Sequence, residues 1–160
     1  MNIQIQSFGL LILALLYVFY KSNRAIQLYS EKVFRRTLYI SIISLSLDIV
    51  SIVGINFSDA LPNFIVISIC KLYIMSLLWE MISVLCYVLT DLFSEKKHAR
   101  ISKIISAVVL AESVIVAFLP IHVFHEGMVV YTYGASVITV YAFSITARSR
   151  YFLIVFSSAI

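Results

Sequence analysis

Long apolar runs of about 20 residues, separated by short polar connections, constrain this chain more than any other feature of its sequence. A helix needs about 20 mostly apolar residues to cross the hydrocarbon core of a bilayer, because lipid offers the backbone no hydrogen-bond partner. Five runs meet this requirement, approximately over 3–20, 37–57, 63–89, 101–121 and 128–147. A sixth run, 151–160, is too short to cross. The sequence therefore predicts an all-α, polytopic transmembrane helical bundle with five full spans and the start of a sixth.

The composition favours lipid as the solvent of this chain. Apolar residues make up 62% of it and charged residues only 12%, against about 25% charged residues in soluble domains. The net charge of +4 does not indicate a nucleic-acid partner, because the basic residues fall in short clusters between the apolar runs. We expect a multi-pass protein of the cell membrane whose main partner is the lipid bilayer.

Basic residues alternate between the connections and predict the orientation of the spans, because Lys and Arg near a span stay on the cytoplasmic side. None precedes the first run, and none lies in 56–62 or in 120–127. The others follow the first, third and fifth runs: Lys21, Arg24, Lys32, Arg35 and Arg36; Lys96, Lys97, Arg100 and Lys103; Arg148 and Arg150. The N-terminus is therefore predicted outside, and the short loops predict antiparallel neighbours.

No repeat or linker divides the chain, so residues 1–160 are predicted to form a single transmembrane domain. The sequence ends within an apolar run. We therefore expect it to be the N-terminal part of a longer protein.

Four charged residues lie at membrane depth, away from the ends of the apolar runs, where a charge costs about 2.5–3.5 kcal/mol on insertion scales. Asp48 and Lys71 are nearly equidistant from the outer turn between the second and third runs. A helical hairpin would hold them at one depth, and we predict an intramembrane ion pair. The alternative is that Lys71 extends to the outer headgroups while Asp48 binds neighbouring hydroxyls.

Glu80 and Glu112 mirror each other across the inner loop and also fall at similar depth. If they meet, repulsion and desolvation would leave at least one protonated, as a carboxylate pair suited to proton sensing or transport. Structural hydrogen bonding is the commoner role of such residues.

Two polar stripes recur at three- and four-residue steps on the second and third predicted helices. Their members are Ser41, Ser44, Asp48 and Ser51, and Ser76, Glu80, Ser83 and Tyr87. Such stripes could line a ligand cavity, but small hydroxyl residues more often pack membrane helices together.

His122, His125 and Glu126 form a weak candidate for a pH-sensing or metal site in an outer turn. A zinc-hydrolase helix needs its histidines four residues apart, whereas these are three apart, so a solvated turn is the favoured interpretation. We find no nucleotide-binding loop, nucleophile elbow or metal-ligand cluster, and we predict no catalytic residue, cofactor or metal. Cys70 and Cys86 are 16 positions apart on one run and are interpreted as apolar packing residues.

Several stretches resemble the N-terminal multi-helix membrane region that precedes GGDEF diguanylate cyclase domains in bacteria, and are similar to seven-helix input regions of histidine kinases. They are 28–36 (LYSEKVFRR), 47–54 (LDIVSIVG), 70–79 (CKLYIMSLLW), 87–93 (YVLTDLF) and 131–141 (YTYGASVITVY). The resemblance implies a helical bundle that controls a cytoplasmic domain making cyclic di-GMP, with no cyclase site residue among these 160.

The leading hypothesis is therefore a sensory input module in which a small molecule or a membrane state biases the arrangement of the helices. We expect such a module to form a homo-oligomer through helix packing. The alternatives are a small proton-coupled transporter or channel-like protein that uses Glu80 and Glu112, and a structural partner of other membrane proteins.

Overall fold

The computed structural model describes residues 3–22, 29–58, 60–90, 92–126 and 129–158, with side chains except at 3, 123–131, 147, 148 and 150–158. Within them the chain forms five helices and one pair of strands. In order these are α1 (Ile3–Ser22), α2 (Tyr29–Asn56), α3 (Asn63–Val88), α4 (Glu95–Phe118), β1 (His122–Glu126), β2 (Val129–Tyr133) and α5 (Ala135–Ser158).

Consecutive helices from α1 to α4 pack antiparallel, as the short connections predict. The contacts that show this are Tyr20 with Phe34 and Tyr17 with Tyr39 between α1 and α2, Thr37 with Ser83 and Ser44 with Ser76 between α2 and α3, and Cys86 with His98 and Lys71 with Ala117 between α3 and α4. We call the end of the bundle where α2 begins, α3 ends and α4 begins the basic end, because its helix ends carry most of the lysines and arginines.

Helix α3 is the centre of the core. Its buried residues recur every fourth position, at Val66, Cys70, Ile74, Leu78, Ile82 and Cys86. Residues four apart lie on one face of a helix, so this stripe forms a continuous apolar seam. Val109 and Val116 of α4 and Val140 of α5 pack into the same cluster.

Four helices among the described residues are long and apolar enough to cross a membrane: α1 from Gln4, α2, α3 and α4. Large apolar side chains remain on the outside of the bundle, and Phe8, Leu15 and Phe118 are 65%, 63% and 86% exposed. A contiguous apolar surface of this kind is unfavourable in water and suits lipid. The structure therefore indicates a membrane location.

The predicted fifth span, 128–147, is corrected by the structure. Its first part pairs as β2 with β1 in antiparallel register, with His122 opposite Tyr133, and helix α5 begins only at Ala135. Gly134 separates the two elements at φ +150, and a Cβ there would lie 2.6 Å from the Pro120 carbonyl oxygen. Helix α5 runs over Ala135–Ser158, and Ala135–Thr146 is the apolar part of it whose side chains the structure describes.

The predicted start of a sixth span is also not supported. Residues 151–158 continue α5 as the same helix, and Arg148 and Arg150 lie within it instead of in a loop. The all-α prediction is confirmed, with one β-hairpin added, but the count of five full spans and a sixth is replaced by four long apolar helices among the described residues.

Candidate functional site

Asp48 and Lys71 lie at similar depth in the bundle but contact different partners. The Lys71 amine donates to the Ala117 carbonyl of α4 at 2.6 Å. The Asp48 carboxylate lies within interaction distance of the Tyr73 hydroxyl on α3. Across the part of the chain that the structure describes, no ion pair joins Asp48 to Lys71. The charged Lys71 amine instead donates its hydrogen bond to the backbone of α4.

Glu80 and Glu112 are not brought into contact within the described residues. The contacts of Cys86 with His98 and of Lys71 with Ala117 set the register of α3 against α4. This register places Glu80 opposite residues near Ser106, between one and two turns from Glu112. No hydrogen bond that would share a proton between the two carboxylates is therefore seen in the described structure.

The His122 to Glu126 segment is strand β1 and not a turn. The side chains of His125 and Glu126 lie outside the described residues, whereas the exposed His122 side chain is described. The described side chains include no group of three or more His, Cys, Asp or Glu that could hold a metal ion.

The two polar stripes face each other and pack α2 against α3. The Ser76 hydroxyl lies 3.3 Å from the Ser44 hydroxyl, and the Thr37 hydroxyl lies 2.9 Å from that of Ser83. Ser44 is 1% exposed. Direct hydrogen bonds at Ser44 and Ser83 therefore join the two helices.

A site that the sequence analysis did not single out is centred on His98, in the first turn of α4. Its side chain is 2% exposed. The Tyr29 hydroxyl at the start of α2 lies 2.7 Å from Nδ1, and the Cys86 carbonyl near the end of α3 lies 2.7 Å from Nε2. The Tyr29 and His98 rings meet edge to face, with centroids 5.3 Å apart. One side chain thus joins the ends of three helices.

The hydrogen bonds determine which nitrogen carries a proton. A carbonyl oxygen only accepts, so Nε2 donates to Cys86. In the neutral imidazole Nδ1 then accepts from the Tyr29 hydroxyl. The hydroxyl can also accept, so both contacts survive if Nδ1 gains a proton. Each ring nitrogen is satisfied, which a buried polar group requires.

The Cys86 carbonyl needs this partner because of how α3 ends. The last carbonyls of a helix have no intrahelical donor. Here the Thr90 amide bonds to Tyr87 in a tightened last turn, not to Cys86. The His98 side chain therefore caps α3 from the neighbouring helix.

A cavity of about 80 Å³ lies beside His98, between α2, α3 and α4. Its polar lining includes Tyr29, Arg36, Ser83, Ser102 and Ser106. Its apolar lining includes Val33, Ile40, Trp79 and Ile82. The arrangement offers a cation, hydroxyls and a hydrogen-bonded imidazole around a small space, which can bind a polar group.

Sequence reasoning missed His98 because it lies among Lys96, Lys97 and Arg100, which were interpreted as a loop. The predicted helix began at residue 101, whereas α4 begins at Glu95. A signal was present, because His98, Ser102, Ser106 and Val109 recur at three- and four-residue steps and form an inward face. Cys70 and Cys86 are buried and free, as predicted for packing residues.

Comparison with known proteins identifies no relative of this chain. No protein-family model, no curated protein and no solved structure matches it.

Proposed function

We propose that this chain is a membrane-embedded sensory module of a bacterial signalling protein, in which a ligand or a membrane state shifts the helix ends at the basic end. The observation that carries the proposal is the position of His98. Its side chain bonds the start of α2 and the end of α3 from the first turn of α4, beside a cavity. A change in the cavity would alter how three helix ends are held together.

The output of this module is a cytoplasmic diguanylate cyclase domain, as the resemblance of the sequence implies. The basic end faces the cytoplasm in this proposal. Two observations support a cytoplasmic position of the basic end. The first turns of α2 contain Lys32, Arg35 and Arg36, and the first turn of α4 at the same end contains Lys96 and Lys97. Cations near span ends are retained in the cytoplasm. The helix ends that His98 joins would then lie on the side of the output domain.

A reporter fusion tests the proposal. The chain is joined in frame to a diguanylate cyclase catalytic domain, and cyclic di-GMP is measured in cells at equal expression. Tyr29→Phe removes the hydroxyl that bonds His98 while keeping the ring. Losing about 1 kcal/mol of hydrogen bonding corresponds to about a fivefold change in a two-state equilibrium, so we expect the output to change by about fivefold.

Tyr39→Phe is the matched control, because Tyr39 is also on α2 but is 55% exposed, and its hydroxyl makes no hydrogen bond to a described residue. Its output should equal that of the parent fusion. Equal effects of the two substitutions, or no effect of Tyr29→Phe, would contradict a role of the His98 contacts in signalling.

A further inference from the structure

We propose that the cavity beside His98 binds a small oxyanion of the phosphate class. The inference rests on the proposed function and deepens it, because it names the ligand class of the same site. Two sources carry this chemistry, free inorganic phosphate and the phosphate of an anionic lipid headgroup.

Hydrogen-bond donors without a protein partner lie around the cavity. Arg36, an exposed residue, and the partly buried Ser106 line it, and the side chain of neither makes a hydrogen bond or an ion pair to any described residue. A guanidinium is planar and presents five N–H donors, two of which can bond two oxygens of one phosphate at the same time. Ser102, which also lines the cavity, already has a partner, because its hydroxyl bonds the Cys86 side chain.

The charge around the cavity favours an anion. None of the described residues that line it carries a carboxylate. Glu95 interacts electrostatically with Tyr29 but does not line the cavity. The surrounding basic end, with Lys32, Arg35 and Lys97, adds a positive potential that raises the local concentration of anions.

The size of the cavity limits what it can hold. A volume of about 80 Å³ is several times the roughly 10–15 Å³ that a cavity needs to hold one water molecule. Drug-sized ligands occupy pockets of about 300–1,000 Å³. The site therefore has room for a small group such as a single tetrahedral oxyanion. Ile40 and Trp79 on its apolar side would contact the carbon atoms of a lipid headgroup.

Trp79 makes the binding directly measurable. It lines the cavity and is the single tryptophan of the chain, so intrinsic fluorescence reports on this site alone. The full chain is placed in phosphatidylcholine nanodiscs and titrated with inorganic phosphate, with ionic strength held constant by chloride. A second arm compares phosphatidylcholine nanodiscs with nanodiscs that also contain phosphatidylglycerol.

A saturable fluorescence change with inorganic phosphate identifies the free anion as the ligand. A change with phosphatidylglycerol, after which phosphate adds nothing, identifies the lipid headgroup. In either case Arg36→Gln should weaken the response about tenfold or more, because hydrogen bonds to charged groups are the strong ones. Arg36→Lys keeps the charge but loses the planar guanidinium, so its response should lie between those of the parent and of Arg36→Gln.

Arg35→Gln is the matched control, because it removes the same charge from the neighbouring position of α2 but from a residue that does not line the cavity. It should leave the response within about twofold of the parent, because only Arg36 of the two lines the cavity. Circular dichroism checks the fold of each variant, and Ser106→Ala replaces Arg36→Gln if the latter does not fold.

Absence of a response in both arms, or equal losses in the two arginine variants, overturns the inference. Its failure is distinguishable from failure of the proposed function. If the anion binds but does not change the output of the reporter cyclase, the binding site is supported and its signalling role is contradicted. If the reporter output depends on the His98 contacts but no anion binds, the signalling role is supported and the binding site is contradicted.

Discussion

The His98 imidazole donates its Nε2 hydrogen to the Cys86 carbonyl across 2.7 Å, which ties the last turn of α3 to the first turn of α4. The amides of Leu92 and Phe93 bond to Leu89, and the His98 amide bonds to Ser94, so the short connection is itself hydrogen-bonded. The side-chain contact thus closes a compact corner, and the Tyr29 hydroxyl attaches α2 to it.

This corner predicts a ranking of stabilities. His98→Phe keeps an aromatic ring but leaves the Cys86 carbonyl without a donor, and an unsatisfied buried group costs about 1–3 kcal/mol. We expect the free energy of unfolding to fall by that amount. Tyr29→Phe should cost less, because His98 keeps its bond to Cys86. Thermal unfolding in detergent micelles, followed by far-ultraviolet circular dichroism, measures the ranking, with Tyr39→Phe as control. An unchanged melting temperature for His98→Phe would contradict the capping role.

The α2 and α3 interface predicts energetic coupling between two hydroxyl residues. The Thr37 hydroxyl lies 2.9 Å from the Ser83 hydroxyl and 3.2 Å from the Ser83 carbonyl oxygen. Interhelical hydrogen bonds in membrane proteins average about 0.6 kcal/mol in double-mutant cycles. The single variants Thr37→Val and Ser83→Ala and their combination should give a coupling energy of about that size in reversible unfolding in mixed micelles. Strict additivity of the two substitutions would show that the contact contributes nothing.

Sequence reasoning predicted the depth of Asp48 and Lys71 better than their partners, whereas it placed Glu80 and Glu112 too close in depth. The distance of Asp48 and Lys71 from the outer turn placed them at one level, and the structure puts Asp48 beside Tyr73, two positions from Lys71. Residues two apart on a helix are rotated by about 200°. Tyr73 therefore points to α2 while Lys71 points to α4, where it meets Ala117. Loop length fixes depth, but only packing fixes which face of a helix meets which neighbour.

The β-hairpin was missed for a different physical reason. Hydropathy scores Val129, Val130 and Tyr131 like any apolar residues, although β-branched and aromatic side chains also favour strands. Here the segment pairs with β1, and Gly134 then redirects the chain into α5. The Ser136 hydroxyl, 2.8 Å from the Leu119 carbonyl oxygen, satisfies the end of α4 from the new helix. A hydropathy average over a window of the sequence carries no information on such long-range contacts.

Gly134 predicts a second stability difference. At φ +150 a side chain is strained, and the Cβ of alanine would lie 2.6 Å from the Pro120 carbonyl oxygen. Backbone strain of this kind costs about 1–3 kcal/mol, so Gly134→Ala should lower the melting temperature clearly. Gly54→Ala is the control, because its Cβ would meet only the Ile69 side chain at 3.5 Å. Equal melting temperatures for the two variants would show that the junction tolerates a side chain.

The orientation that we propose for the bundle predicts a labelling pattern. Cys70 and Cys86 are buried, with 2% and 7% of their surface exposed, so the parent protein should react little with a membrane-impermeant maleimide. Single cysteines are then introduced as Ala60→Cys in the turn between α2 and α3 and as Lys97→Cys at the basic end. Both positions are exposed. Because cations are retained in the cytoplasm, Ala60→Cys should be labelled in intact cells and Lys97→Cys only after permeabilisation. The reverse pattern would place the basic end outside and separate His98 and its cavity from any cytoplasmic output domain.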